Sequence, residues 1–595
     1  MCGIVGYIGE RPAARVLLDS LKRLEYRGYD SCGIAVLNGG LRVFKDKGRV
    51  QELEKSLPVL EGRCGIGHTR WATHGKPSAE NAHPHCDCSG RLAVAHNGII
   101  SNFRELREKL ASAGHIFKSE TDTEAIAHLI ESYYSGDLLK AVESALPELS
   151  GSYALAGIAA GCDYIVVARR ECPLIIGLGD GERFVASDAP AILEYTNRVI
   201  FLEDGDVGIV TAGDVRLKNG GVEVKGRQEH TIPWSVEESR KGGYDHFMLK
   251  EIHEQPRVIR DTLEGCVSLF ESRVELESNR DNGCGGSLIL ACGTSYYAGL
   301  IGRYAIEKLA GEPVRVEVAS EFNHGDGLLS DSRVIAITQS GETADTLRAM
   351  KQVKNRGADV LAITNVLGSS ASRIADRTIY TRAGPEICVA ATKTFIAQIT
   401  VLYVLALSRA GLDLTAKNLL IEELRRLPEK VQSLLYREEE FASFGKYLAG
   451  FDNAYLVARG INFPAALEGA LKLKEIAYIH AEGYAAGELK HGPFALLTPN
   501  TPVIAIVAGD NTRDAMLNNI MEIKAREAPV MALAAEGDDQ VEKYVDRVIY
   551  VPTVDPLFSP LLNCVALQLL AYYAARERGC PIDMPRNLAK SVTVE

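Results

Sequence analysis

The chain has 595 residues, 46% hydrophobic and 24% charged, which is ample material for several buried cores and excludes a disordered or fibrous chain. Its 66 basic against 78 acidic residues leave a net charge of −12, which repels a phosphate backbone and argues against nucleic acid as a partner. No apolar run reaches the roughly 18 residues of a membrane span, the start MCGIVGYIGERP lacks the pattern of a signal peptide, and thirteen scattered cysteines suit reduced thiols in a cytoplasm.

The first block, residues 1–225, is rich in short β-type runs such as GIVGYIG, GIAVLNG and RLAVAHNGII, punctuated by Gly, Asn and Asp. Helical periodicity is confined mainly to 11–24 and 123–134, so the block reads as an α+β domain with large, mostly antiparallel sheets. A polar stretch, 226–248, reads as a linker.

Cys2 follows the initiator methionine; with Met1 removed, its α-amine, of pKa about 7.7–8.0, could serve as a local base for the thiol. A free cysteine is most often a small buried hydrophobe, but polar clusters at HTRWATHG (68–75), HNG (96–98) and SETDTE (119–124) share its domain. Arg70 could hold a carboxylate, Asp122 an ammonium, and Asn97 with the Gly98 N–H could form an oxyanion hole. Together these describe an amino acid whose side-chain carbonyl is under thiolate attack. The run His83-Pro84-His85-Cys86-Asp87-Cys88 offers four metal-type ligands, but adjacent ligands rarely close one tetrahedron and no second paired set at zinc-finger spacing appears. The expectation is no metal, with zinc at this run as the alternative.

From residue 250 the texture becomes strand, loop, helix, with an internal repeat. SLILACGTSYYAGL, RVIAITQSGETADTL and DVLAIT recur in order as AYLVARGINFPAAL, PVIAIVAGDNTRDAM and PVMALA, about 170 residues later. Two α/β domains follow, 249–425 and 426–580, each a parallel sheet flanked by helices, then a tail, 581–595. Ligands in such sheets sit at the carboxyl ends of strands. There the first copy has Thr294, Ser295, Ser340 and Thr343, and the second Ile461, Asn462, Gly509 and Thr512, so anion binding belongs to the first copy. Thr338-Gln339-Ser340-Gly341-Glu342-Thr343 follows a strand and precedes a helix, as a phosphate loop would, without a Walker lysine or a dinucleotide fingerprint.

Glu468, Lys472 and Glu475 lie at i, i+4 and i+7 on one helix face. Such trios are usually solvated ladders, but this helix is otherwise apolar, and GELKHGP follows with His491. A buried carboxylate beside a lysine can act as a base on a carbon acid. In the terminal MPRNLAKSVTVE, Lys590 is either solvent-exposed or folded into a site as a Schiff-base lysine.

MCGIVGYIG, GHTRWATHG, AHNGIISN and SETDTE resemble the class II glutamine amidotransferase family of N-terminal nucleophile hydrolases, and CGTS, QSGET, KLKE, GELKHGP and NLAKSVTVE resemble paired sugar-isomerase (SIS) domains. The resemblance implies an αββα sandwich followed by two SIS domains, and an enzyme that transfers glutamine nitrogen to fructose 6-phosphate. It implies Cys2 as nucleophile, Asn97 and Gly98 as oxyanion donors, and Arg70, Thr73, His74 and Asp122 around the glutamine, with Trp71 gating an ammonia channel. On the sugar side it implies Thr294, Ser295, Thr338, Gln339, Ser340, Thr343, Val389 and Ala589 as sugar-phosphate contacts. His491 would open the ring, Lys590 form an imine at C2, Glu475 carry a proton between C1 and C2, and Lys472 polarise oxygens. It further implies L-glutamine and fructose 6-phosphate as substrates, no cofactor, a cytoplasmic location, and a homodimer in which His324 or His491 crosses to the neighbouring subunit. A phosphoribosyl acceptor would need a diphosphate-binding loop that is missing, and a sugar-phosphate sensor has no use for Cys2, Glu475 or Lys590.

Overall fold

A computed structural model describes residues 2–72, 74–235, 237–271, 286–325 and 333–593. The chain divides into two compact units, Met1–Ser239 with Ala589–Glu595, and Arg240–Leu588.

In the first unit, an eight-stranded and a seven-stranded sheet are antiparallel throughout. Small and branched residues from both sheets, including Ile4, Ala35, Ile66, Ala95, Ala156, Val167 and Val185, form one buried layer between them. Helix Ala13–Lys22 packs on the eight-stranded sheet. Helices Phe103–Ser112, Asp122–Tyr133 and Leu138–Ala145 share a core with the seven-stranded one. This is the αββα layering expected. The predicted helical segments at 11–24 and 123–134 match the first and third of these. The polar stretch read as a linker differs at its start: Glu229–Thr231 is a strand pairing with Arg198–Phe201, because an edge strand needs only one hydrogen-bonding partner and no apolar alternation.

The second unit holds two five-stranded parallel sheets. In the first the order is Val314–Val318, Ser287–Ala291, Arg333–Ile337, Val360–Thr364, Arg377–Tyr380. In the second it is His480–Ala485, Asn453–Ala458, Val503–Val507, Val530–Ala535, Arg547–Val551. The order 2-1-3-4-5 is the same in both, as a duplication requires. The central strands are apolar runs buried on both faces, so each sheet needs helices on either side. One continuous core runs through both sheets and the helices between them. Helix Gly293–Ala310 of the first copy packs on helix Phe463–Lys472 of the second, which brings the start of the one to the end of the other. Among the described residues, no helix is long and apolar enough to cross a membrane.

Helix Ser559–Glu577 is buried along most of its length, and helix Glu438–Leu448 meets it at Gly445. A Cβ there would lie 2.6 Å from Tyr573 Cβ and 2.8 Å from the Ala574 backbone nitrogen. Gly445→Ala should therefore destabilise the chain by about 1–3 kcal/mol. Gly450→Ala, whose nearest neighbour is 3.4 Å away, should change little in the same denaturant titration.

Candidate active sites in the two units

Strands Gly3–Ile8 and Cys64–Arg70 pair with Gly3 opposite Thr69, which sets Cys2 beside Arg70 and Trp71. The Trp71 backbone N–H donates to Cys2 Sγ at 3.3 Å. Burial pushes the Cys2 thiol up, with the Trp71 N–H and the Arg70 guanidinium opposing it, so attack by this thiol calls for a base. Asn97 Nδ2 donates to the Cys2 carbonyl oxygen at 2.9 Å. The other end of that amide is fixed: His68 Nε2 lies 3.1 Å from Asn97 Oδ1 and 3.0 Å from the His96 carbonyl oxygen. Both partners accept, so Nε2 carries the proton, and Asn97 is held with its Nδ2 toward Cys2. Burial depresses the His68 pKa to about 3, which keeps that neutral tautomer in place.

Gly98 has φ +121°, and a Cβ would fall 2.1 Å from the Ser152 carbonyl oxygen, so only glycine fits this bend after Asn97. Arg70 is buried, its Nη2 donates to the His74 carbonyl oxygen, and its Nη1 is buried without a hydrogen-bond partner among the described residues. Asp122 opens helix Asp122–Tyr133, buried, and accepts from the Ile100 N–H at 3.0 Å. Both Arg70 and Asp122 act electrostatically on Cys2, the cation favouring the thiolate and the anion opposing it. Trp71 sits edge-on to Tyr29 and His74 edge-on to Phe103. Thr73 lies outside the described residues.

In the second unit, the loops after Ser287–Ala291 and Arg333–Ile337 leave the same edge of the sheet, because these strands are parallel neighbours. Ser295 is buried in the first turn of helix Gly293–Ala310. Thr338 Oγ1 accepts from the Gly341 N–H at 3.2 Å and lies 3.1 Å from Thr343 Oγ1. Ser340 Oγ accepts from the Glu342 N–H at 3.1 Å. Gly341 has φ +70°, with Ser369 Oγ 2.2 Å from where a Cβ would stand. The Gln339 carbonyl oxygen accepts from the Asn365 N–H at 3.0 Å, which ties the loop to the neighbouring strand end. This compact hydroxyl-lined turn ends at Thr343, directly before helix Ala344–Asn355, the geometry that suits an anion. Val389 is buried, its N–H donating to the Asp583 carbonyl oxygen at 3.0 Å.

Lys472 is fully buried between two carboxylates, 3.3 Å from Glu468 Oε1 and ion-paired with Glu475. It also donates to Thr294 Oγ1 at 3.2 Å, and that hydroxyl donates to Glu468 Oε1 at 3.3 Å, so one residue of the first copy joins three of the second. Burial would pull the Lys472 pKa down, but Glu468 and then Glu475 outweigh it and the lysine is held charged. Burial raises the Glu468 carboxyl to about 7, and its Oε2 has no partner among the described residues. Glu475 sits on a π-helical turn, Leu473–Ala477, that closes helix Phe463–Lys472. His491 is exposed at the end of the turn Ala486–His491, and His324 is exposed too. Lys590 and Ala589 belong to the terminal run that groups with the first unit.

The sequence reading misses one positioning residue, His68, and names another, Glu468, without its burial. His68 lies in a motif already singled out, but its partner is 29 residues away and nothing local marks the pairing. Glu468 was visible at i−4 from Lys472, yet only its burial distinguishes it from a solvated rung.

Lys472→Met should destabilise the chain by about 3–5 kcal/mol at pH 8 by leaving the buried Glu468 and the partly buried Glu475 without their cation. The loss should be smaller at pH 5, where Glu468, with its pKa near 7, is already protonated in the folded protein. Denaturant titrations at the two pH values measure this; equal losses would mean that Glu468 is not the titrating partner.

Comparison with known proteins gives a family model described as the SIS domain at residues 287–408 and 447–578, and one described as the glutamine amidotransferase domain at 68–194. Over 609 residues and the whole of both chains, the sequence is 48% identical to glutamine–fructose-6-phosphate aminotransferase (isomerizing) of Caldanaerobacter subterraneus subsp. tengcongensis. It is 50% identical over 608 residues to the same-named protein of Thermococcus kodakarensis, again over the whole of both. Among solved structures, the C-terminal domain of glucosamine-fructose-6-phosphate aminotransferase from Francisella tularensis is 35% identical, with a TM-score of 0.53, covering 58% of this chain and 100% of that one.

Proposed function

Because the chain belongs to the glutamine–fructose-6-phosphate aminotransferase (isomerizing) family, we infer that it hydrolyses L-glutamine at Cys2 and uses the nitrogen to convert fructose 6-phosphate into glucosamine 6-phosphate. The observation that carries this reading is the presence in one chain of a thiol framed by Arg70, Asn97 and Asp122, and a buried charged lysine framed by two carboxylates.

In the first half-reaction, Arg70 holds the glutamine α-carboxylate, its free Nη1 supplying the donor, and Asp122 holds the α-ammonium. The α-amine of Cys2, freed by removal of Met1, takes the thiol proton, and Sγ attacks the side-chain amide carbon. Asn97 Nδ2 and the Gly98 N–H receive the oxyanion. Collapse expels ammonia and leaves a thioester, which water opens to glutamate. Trp71, Thr73 and His74 belong to the same loop and complete the glutamine pocket.

In the second, Ser295, Thr338, Gln339, Ser340 and Thr343 bind the phosphate, with Thr294, Val389 and Ala589 along the sugar. Lys472, held cationic, is unsuited to act as a base or an imine-forming amine, which supports Lys590 in the latter role and Lys472 as the group that polarises substrate oxygens. His491 moves the ring-opening proton. Ammonia displaces the lysine from C2 with release of its amine, and Glu475 takes a proton from C1 and returns it to C2. The protein works as a homodimer, with His324 or His491, both exposed, reaching the neighbouring subunit, and it works in the cytoplasm.

Amide-15N glutamine with fructose 6-phosphate should give labelled glucosamine 6-phosphate one-for-one with glutamate. Glutamate without labelled sugar would overturn the acceptor. Asn97→Ala should lower the glutaminase kcat by about 10²–10³-fold. His68→Leu, which frees the Asn97 amide to turn, should lower kcat in the same direction with a smaller change in KM.

A further inference from the structure

The HPHCDC run does not close on itself. His83 stacks on His68 with ring centroids 4.1 Å apart, and His85 Nε2 lies 3.0 Å from Thr121 Oγ1, both deep in the sandwich. Cys88 instead stands in the turn between strands His85–Cys86 and Leu92–Ile100, and there it meets residues that the sequence keeps far apart.

Cys88 Sγ is 3.5 Å from His128 Nδ1 and 3.8 Å from His115 Nδ1. Glu131 Oε2 is 2.8 Å from His115 Nδ1 and 3.0 Å from His128 Nδ1. All four ligand atoms lie within 4.8 Å of one another. A tetrahedral zinc with sulfur at about 2.3 Å and nitrogen and oxygen at about 2.0–2.2 Å would need S···N edges of roughly 3.5 Å and N···O edges of roughly 3.4 Å. The sulfur–nitrogen distances lie within about 0.3 Å of these edges, and the nitrogen–oxygen pairs open by about half an ångström. We propose that Cys88, His115, His128 and Glu131 form a structural zinc site in the first unit.

The surroundings are those of a metal site. The Ile116 N–H points at Cys88 Sγ, 3.4 Å away, as backbone donors do to a ligating thiolate. The Cys88 N–H is shared between Glu131 Oε1 and Oε2, 3.1 Å from each, and ligation by Oε2 would leave it on Oε1. His128 is 1% exposed; with Nδ1 on the metal its Nε2, buried without a hydrogen bond, faces Glu124 Oε1 at 3.8 Å. That carboxylate is itself fixed by the Lys118 and Ser119 N–H groups, both at 2.7 Å. This is the carboxylate behind a ligating histidine that orients its ring. One thiolate, two imidazoles and one carboxylate make a closed donor set of borderline softness, which favours zinc over magnesium or calcium. Binding exchanges the Cys88 thiol proton for the metal–sulfur bond and releases it to solvent.

The site clips three segments: the turn at Cys88, the loop at His115 after helix Phe103–Ser112, and helix Asp122–Tyr133, which supplies His128 and Glu131 one turn apart. That helix begins with Asp122, so a metal here fixes the element that carries the candidate ammonium anchor. The site stands apart from the catalytic chemistry and does not depend on the acceptor sugar.

The test uses the full-length protein, stripped with a chelator, reloaded with zinc or cobalt chloride and desalted. Wild type should retain about one metal per chain, as a closed four-ligand site does, and cobalt should show a thiolate charge-transfer band. Cys88→Ala and His128→Ala should lose both metal and band, whereas Cys86→Ser should keep them. Because Cys88 is exposed, its substitution leaves the sandwich folded, and circular dichroism verifies that. Zinc should also shield Cys88 from alkylation. No retained metal in wild type, or equal loss in Cys86→Ser and Cys88→Ala, would overturn the proposal.

Discussion

A fully buried lysine, held by two carboxylates and a threonine hydroxyl, is the interaction on which the second unit depends. Lys472, Glu468 and Glu475 come from one copy of the repeat and Thr294 from the other, so the charge cluster also pins the joint between copies. Three ionisable groups in so small a buried volume cannot all keep their solution behaviour. The cation is retained because two anions face it. The carboxyl with the heavier burial, Glu468, rises to about 7, while the half-buried Glu475 is the one open to a substrate. A partly exposed carboxylate, a fixed positive charge and a carboxyl titrating near neutrality thus follow from three residues on one helical face.

The duplicated sheets show how a scaffold keeps its order while its loops diverge. In the first copy, the loop after the third strand holds hydroxyls turned to its own backbone N–H groups and to each other. In the second, Asn462 occupies the place equivalent to Ser295, and it is buried by its own fold: its Nδ2 donates to Ser559 Oγ and its Oδ1 accepts from Asn563 Nδ2. Thr512 is spent on Asp510, 2.6 Å away. The strand end of the second sheet is thus filled from helix Ser559–Glu577, while the corresponding end of the first keeps its hydroxyl-lined loop.

Much of this was legible in the sequence because it is local. The strand runs, the repeat and the hydroxyl loops are written in consecutive residues, and the i, i+4, i+7 spacing put Glu468, Lys472 and Glu475 on one face before any coordinates. What escaped is tertiary. His68 aligns Asn97 across two sheets, and Cys88 joins His115, His128 and Glu131 from three separate segments, so the dense ligand run around Cys88 drew attention to neighbours that point elsewhere. The short strand Glu229–Thr231 was hidden for another reason: an edge strand with one partner carries no alternating apolar pattern to read.

The same logic explains why the thiol site needs residues so far apart in the chain. An amino acid presents a carboxylate, an ammonium and a distal amide, and a site that reacts only at the amide must hold the two charges at a fixed distance from the nucleophile. The Arg70 cation ends a strand beside Cys2, and its Nη1 has no hydrogen-bond partner among the described residues. The Asp122 anion opens a helix, where backbone N–H groups favour negative charge and the Ile100 N–H fixes one of its oxygens. Strand end and helix start are rigid and come from different layers of the sandwich, so neither charge can follow the substrate. Between them the Asn97 amide is locked by an imidazole whose burial keeps it neutral across the physiological range. The thiol is the one group of the set whose proposed task requires a change of protonation, and removal of Met1 would place it at the chain end, beside an amine able to take the proton.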